Sequence, residues 1–66
     1  MNEELFESEL ADILNLLDEF SELEDNIVFV NSVKSFKEEG ILTKNKGLVV
    51  KLSDKSEFQL TIVKVK

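Results

Sequence analysis

Leu48-Val49-Val50-Lys51-Leu52, then Ser53-Asp54-Lys55-Ser56-Glu57, then Phe58-Gln59-Leu60-Thr61-Ile62-Val63 is the stretch that decides the fold. Leu48, Val50 and Leu52 alternate with Val49 and Lys51, and Phe58, Leu60 and Ile62 alternate with Gln59, Thr61 and Val63. Period-two patterning on both sides of a segment rich in turn formers predicts a β-hairpin. A two-residue loop would set Lys51 against Phe58 and mix the faces. Closure at Leu52–Phe58 instead pairs Val50 with Leu60 and Leu48 with Ile62. Because a one-residue slip sends every side chain to the other face, this second register is the expected one. Phe58 is then a core residue, and truncating it to Ala is expected to cost about 2–5 kcal/mol.

Upstream, residues 3–23 read as one amphipathic helix. At about 100° per residue, Leu5, Phe6, Leu10, Ile13, Leu14, Leu16, Leu17, Phe20 and Leu23 fall within half the circle, with Glu9 intruding. Glu4, Glu7, Asp12, Asn15, Asp18, Glu19 and Glu22 take the other half. Asn2 suits the N-cap, and Glu3 and Glu4 suit the positive end of the helix dipole. Glu22, Glu24 and Asp25 sit badly at the negative end, so the last turn should fray, or Ser21 should cap a separate short turn with Glu24. Leu17 belongs to the apolar arc and carries the same truncation expectation as Phe58.

Between these parts, Ile27-Val28-Phe29-Val30 suits a strand covered on both faces. Asn31 or Ser32 is expected to cap a brief helix to Glu39, with Gly40 as its stop and Val33 and Phe36 on its buried side; the alternative is a long irregular strand. Asn45-Lys46-Gly47 is a turn signal, which makes Ile41-Leu42-Thr43 a candidate further strand. The expected fold is therefore α+β. One long N-terminal amphipathic helix packs on a small, mainly antiparallel sheet of three or four strands, as a single domain over residues 1–66. So short a chain, with apolar surface to spare on the helix and at Val63 and Val65, is a candidate homodimer.

Composition narrows the chemistry. The 66 residues contain no Cys, no His and no Pro, which excludes disulfides, thiolate or imidazole metal ligation and cysteine nucleophiles. No stretch is apolar for long enough to cross a bilayer, and no secretory signal is read at the N-terminus, so a cytoplasmic location is expected. The net charge of −6 is split unevenly: residues 1–25 hold ten acids and no lysine, and residues 26–66 hold four acids and eight lysines.

The segments Gly40-Ile41-Leu42-Thr43, Gly47 to Leu52 and Ser56 to Val63 resemble short, functionally uncharacterised proteins carried by bacteriophages and prophages. The resemblance covers roughly the last 25 residues. It implies a phage or mobile-element setting, and host cytoplasm as the compartment, but transfers no functional residue.

Each class of chemistry has a plain competitor. Carboxylates a turn apart, such as Glu4 with Glu7 or Asp18 with Glu22, occur on any acidic helix, and raising a carboxyl pKa needs a desolvated pocket; no enzyme is expected. Glu22, Glu24, Asp25 and Asn26, or Asp54, Ser56 and Glu57, offer hard oxygen ligands, but neither set has the spacing and glycine of an EF-hand loop, so no metal or cofactor is expected. Lys44, Lys46, Lys51, Lys55, Lys64 and Lys66 give the sheet a basic character. The overall acidity and the missing Arg, Tyr and Trp weigh against nucleic-acid binding, and lysines also protect strand edges.

The acidic row Glu4, Glu7, Asp12, Asp18, Glu19 and Glu22 admits two readings. It is a solvated helix face, or a partner-binding surface that imitates a phosphate backbone and occupies the basic groove of a nucleic-acid enzyme. A non-catalytic protein–protein interaction protein, binding itself or another protein through that face, a strand edge or the surplus apolar surface, needs the fewest special residues. Salt separates these forms: binding through the acidic face weakens steeply with ionic strength, and apolar association does not.

Overall fold

The computed structural model describes residues 1–17, 19–23 and 26–66. The chain runs α1 (Glu3–Asn15), β1 (Ser21–Leu23), β2 (Asn26–Val28), β3 (Val30–Ser35), β4 (Lys46–Leu52) and β5 (Glu57–Ile62). The fold is α+β, with two antiparallel sheets: a two-stranded one of β1 and β2, and a three-stranded one in the order β3-β4-β5. α1 packs across β3 and β4.

The helix begins as its sequence dictates. The Asn2 Oδ1 accepts a hydrogen bond from the Leu5 N–H at 2.8 Å, and Glu3 and Glu4 occupy the first turn. It ends much sooner than the apolar periodicity predicts, at Asn15, with no basic residue in its last turn. Continuing it would stack Asp18, Glu19 and Glu22 on the negative end of the dipole, with no lysine to relieve them. Phe20, Ser21 and Glu22 turn instead into the small sheet, where the Phe20 N–H donates to the Val28 carbonyl at 2.7 Å. Ser21 therefore starts a strand rather than capping a turn, and Glu24, its expected partner, lies outside the described residues.

β4 is the centre of the larger sheet and is buried on both faces. Leu48, Val50 and Leu52 form the core, packed against Leu10, Ala11, Leu14, Val28, Val30 and Val33. Leu48 and Val49 are each 1% exposed, and strand alternation turns Val49 to the other side. Val30 opposes Leu52 and Val33 opposes Val50, with a register shift at Asn31. This β-bulge lets two valines three residues apart share one face. That 30/33/36 spacing imitates a helical period, so the helix expected after Asn31 is a strand as far as Ser35.

One helical turn survives at its end. Ser35 Oγ accepts from the Glu38 N–H and Glu38 Oε1 accepts from the Ser35 N–H, both at 3.1 Å, a reciprocal capping box. The Ile41 N–H reaches the Phe36 carbonyl at 2.9 Å and the Gly40 N–H the Lys37 carbonyl at 3.2 Å, with Gly40 at φ 73°. That is a Schellman stop on a glycine in the left-handed region. The turn carries the buried Phe36 ring onto Gly47, where an added Cβ would collide with that ring and with the Leu60 carbonyl. Gly47 is thus a strand residue required by close packing, not part of a turn, and Ile41-Leu42-Thr43 forms no strand.

The hairpin forms in a register two residues away from the expected one. Val50 opposes Phe58, Leu48 opposes Leu60 and Lys51 opposes Glu57. The loop is three residues, Ser53-Asp54-Lys55, closed by the Leu52 N–H to the Ser56 carbonyl at 2.9 Å. Lys55 takes φ 74° and the Asp54 carboxylate accepts from the Ser56 N–H at 2.9 Å, which tightens the turn and draws Glu57 into the ladder opposite Lys51. Leu48→Ala should cost about 2–5 kcal/mol, read as a fall in the denaturant midpoint at constant slope.

Candidate functional site

The sheet face under α1 is wider than the helix that covers it. α1 lies over β3 and β4, and β5 presents Phe58, Leu60 and Ile62 to that same side, because directly opposed residues share a face. Phe58 is 56% and Leu60 40% exposed. An apolar groove of about 350 Å³ runs beside them, lined by Leu14, Phe20, Val50, Leu52, Phe58 and Leu60. At the other end of β5, Phe6 and Ile62 line a smaller groove of about 220 Å³. Ile13 lies two turns along from Phe6 on the same stripe of the helix and is also exposed. Leu17, at 42% exposed, and Phe58 are therefore not the core residues expected from the sequence.

The expected acidic row is shorter than the periodicity suggests. Glu4, Glu7 and Asp12 lie on α1; Glu19 lies beyond its end, Glu22 is in β1, and Asp18 lies outside the described residues. Glu4 and Asp12 are exposed, but Glu7 is half-buried. Its Oε2 accepts the Gly47 N–H at 2.9 Å, a donor left free because the Phe36 carbonyl that would receive it is taken by Ile41. Glu7 shares its helical stripe with Glu3, Leu10, Ala11 and Leu14, so the i, i+3, i+7 spacing to Leu10 and Leu14 was the signal that it faces the sheet.

Glu4 and Glu7 also line a cleft of about 540 Å³ together with Lys37, Lys44 and Lys46. The acidic and basic halves of the chain thus face each other there. Elsewhere Lys51 Nζ lies 3.4 Å from Glu39 Oε1, an ion pair without a hydrogen bond to that oxygen. Among the described residues, no group of three or more Asp or Glu side chains is placed to hold a metal ion, and no helix is long and apolar enough to cross a membrane.

Two carboxyls are held below their ordinary values. Glu38 is lowered by its hydrogen bonds to the Ser35 backbone and hydroxyl, and Asp54 by those to Ser56. Both are fully exposed turn-formers away from the grooves, so their shifts report local structure rather than a reactive centre. The chain matches no protein-family model, no curated protein and no solved structure.

Two outcomes follow. Glu7→Ala leaves the Gly47 N–H without its acceptor and should cost about 1–3 kcal/mol, whereas Glu4→Ala should stay within about 0.5 kcal/mol; chemical denaturation of the pair checks this. For Glu38, the folded pKa is depressed, so its contribution is present above the unfolded value and lost as pH falls through the folded one. The stability advantage of the native chain over Glu38→Gln should hold at pH 7 and begin to shrink only as pH falls through the ordinary glutamate range, about 4.3, measured as the difference between their unfolding midpoints.

Proposed function

We propose that this is a small, non-catalytic interaction protein, an accessory or regulatory component in the phage or mobile-element setting that its C-terminal hairpin suggests. The observation that carries the reading is the apolar surface left open beside α1: Phe6 and Ile13 on the helix, and Phe58 and Leu60 on β5. In a chain whose buried core is Phe36 and four β4 side chains, half-exposed phenylalanines lining a groove are surface kept for contact with another protein or with itself. No cofactor or metal enters this function.

A second form of the reading uses the acidic face, with Glu4 and Asp12 exposed on α1, as an imitation of nucleic acid toward a basic enzyme. Glu7 serves that form less well, because its carboxylate is committed to Gly47.

The test is capture from a bacterial lysate, with light scattering alongside, on the native chain and on a Phe58→Asp/Leu60→Asp variant. The native chain should hold a partner or a second copy at low salt and at about 1 M salt, where the Debye length is about 3 Å. The variant should lose it. Capture that survives the variant but disappears at high salt transfers the role to the acidic face, and native and variant chains that behave alike in both assays overturn the reading.

A further inference from the structure

We propose that the free edge of β5 pairs antiparallel with β5 of a second copy of this chain, about a two-fold axis at Leu60. The proposal rests on the interaction reading above and names its partner.

The edge is unguarded. Glu-Phe-Gln-Leu-Thr-Ile contains no lysine and no proline, and its pairing with β4 shows no bulge. Lys64 and Lys66, which the sequence suggests as guards, lie beyond the end of the strand at Ile62. These are the devices by which natural sheets usually blunt an edge.

The hydrogen-bonding parity of β5 restricts what can pair with it. The Leu52 N–H to Ser56 carbonyl bond marks 52/56 as a hydrogen-bonded pair. In the observed register the same holds at 50/58, 48/60 and 46/62, so Phe58, Leu60 and Ile62 direct their backbone groups toward β4. Glu57, Gln59, Thr61 and Val63 then present theirs to the open edge. A second β5 must pair through those residues, which permits self-pairing centred on Gln59, Leu60 or Thr61 and excludes registers that fall between residues.

Side chains choose among the three. A centre at Thr61 sets Phe58 against the lysine at position 64, and a centre at Gln59 sets Ser56 against Ile62. A centre at Leu60 opposes Phe58 to Ile62 and Leu60 to itself on the helix side, with Gln59 opposed to Thr61 on the other. The apolar row is then complete within the strand, and the one mixed pair, Glu57 with Val63, falls at the strand ends. Charge agrees with the antiparallel sense: Asp54, Lys55 and Glu57 give the start of the strand a net negative charge, and Lys64 and Lys66 follow its end, so a centre at Leu60 sets Asp54 opposite the lysine at position 66. Parallel pairing would bring like ends together.

A two-fold axis perpendicular to the sheet keeps both helices on one side. The two grooves become one trough floored by Phe58, Leu60 and their copies, with the Phe6 and Ile13 stripes of the two helices as its walls. A standard interface takes roughly 800 Å² from each partner. Against a total surface of 5312 Å², backbone pairing of a six-residue strand would be thin without these flanking apolar side chains.

The experiment uses the full chain, which has no cysteine of its own. Leu60→Cys puts two thiols at a non-hydrogen-bonded pair, where Cα atoms lie about 4.5 Å apart, within disulfide reach. Leu42→Cys, at a side chain 99% exposed, is the collisional control. Under mild oxidation at micromolar protein, Cys at 60 should link at least about tenfold faster than Cys at 42, because pairing raises the effective thiol concentration toward millimolar. An equimolar mixture of Phe58→Cys and Ile62→Cys should link faster than either alone, and sedimentation of the native chain should show a dimer.

A native monomer whose 60 and 42 variants link equally slowly overturns the proposal. The interaction reading then stands if the Phe58→Asp/Leu60→Asp variant still abolishes capture. A native dimer in which Cys at 60 does not link overturns the β5 edge as its interface.

Discussion

Everything in this small protein is built on β4, which is, among the described residues, the strand with a hydrogen-bonded neighbour on each side and cover on each face. Leu48, Val50 and Leu52 give α1 something to lie on, and Gly47 gives the Phe36 turn something to close over. Because an added Cβ at Gly47 has no room, the Phe36 turn sits tight against the strand. That closeness diverts the Phe36 carbonyl to Ile41 and frees the Gly47 N–H for Glu7. A packing constraint on one glycine thus determines where the helix is pinned.

The parts legible in the sequence are those whose signal is local. Asn2 as N-cap, Gly40 as a stop and the alternation across the hairpin each depend on a few neighbouring residues, and each is found where its chemistry places it. The two-residue displacement of the hairpin register was invisible to the facing argument, since a slip of two returns every side chain to the same face. It was decided by Lys55 adopting a left-handed conformation and by Asp54 capping Ser56. The Asn31 bulge hid β3 in the same way, by spacing Val30 and Val33 as a helix would. The helix end at Asn15 shows charge overriding apolar periodicity, since Leu16 and Leu17 continue the pattern but Asp18, Glu19 and Glu22 oppose it.

The candidate surface was legible only in outline. The surplus of apolar residues is a matter of counting, but its location depends on which strands α1 covers, and a helix of 13 residues lying on β3 and β4 leaves β5 bare. A half-circle of apolar residues around the helix leaves Glu7 on the outside. The sheet accepts a narrower stripe, centred on Leu10 and Leu14, and Glu7 falls within it. Facing the lysines of the 37–46 loop across the cleft, Glu4 and Glu7 also place part of the sequence's charge asymmetry inside the molecule's own electrostatics.

The joint between the two sheets divides the fold into parts of unequal cooperativity. The Phe29 N–H donates to Ser53 Oγ and the Phe29 carbonyl accepts from the Ser53 N–H, each at 2.9 Å. That reciprocal pair joins residues 24 apart in sequence, so closing it costs more chain entropy than closing the local β4–β5 turn. β1 and β2 hang from it, with Ile27 exposed and Val28 their link to the core. The two-stranded sheet is accordingly a unit that opens at a free energy below that of global unfolding and leaves the β3-β4-β5 sheet and its helix intact, so its backbone amides exchange first.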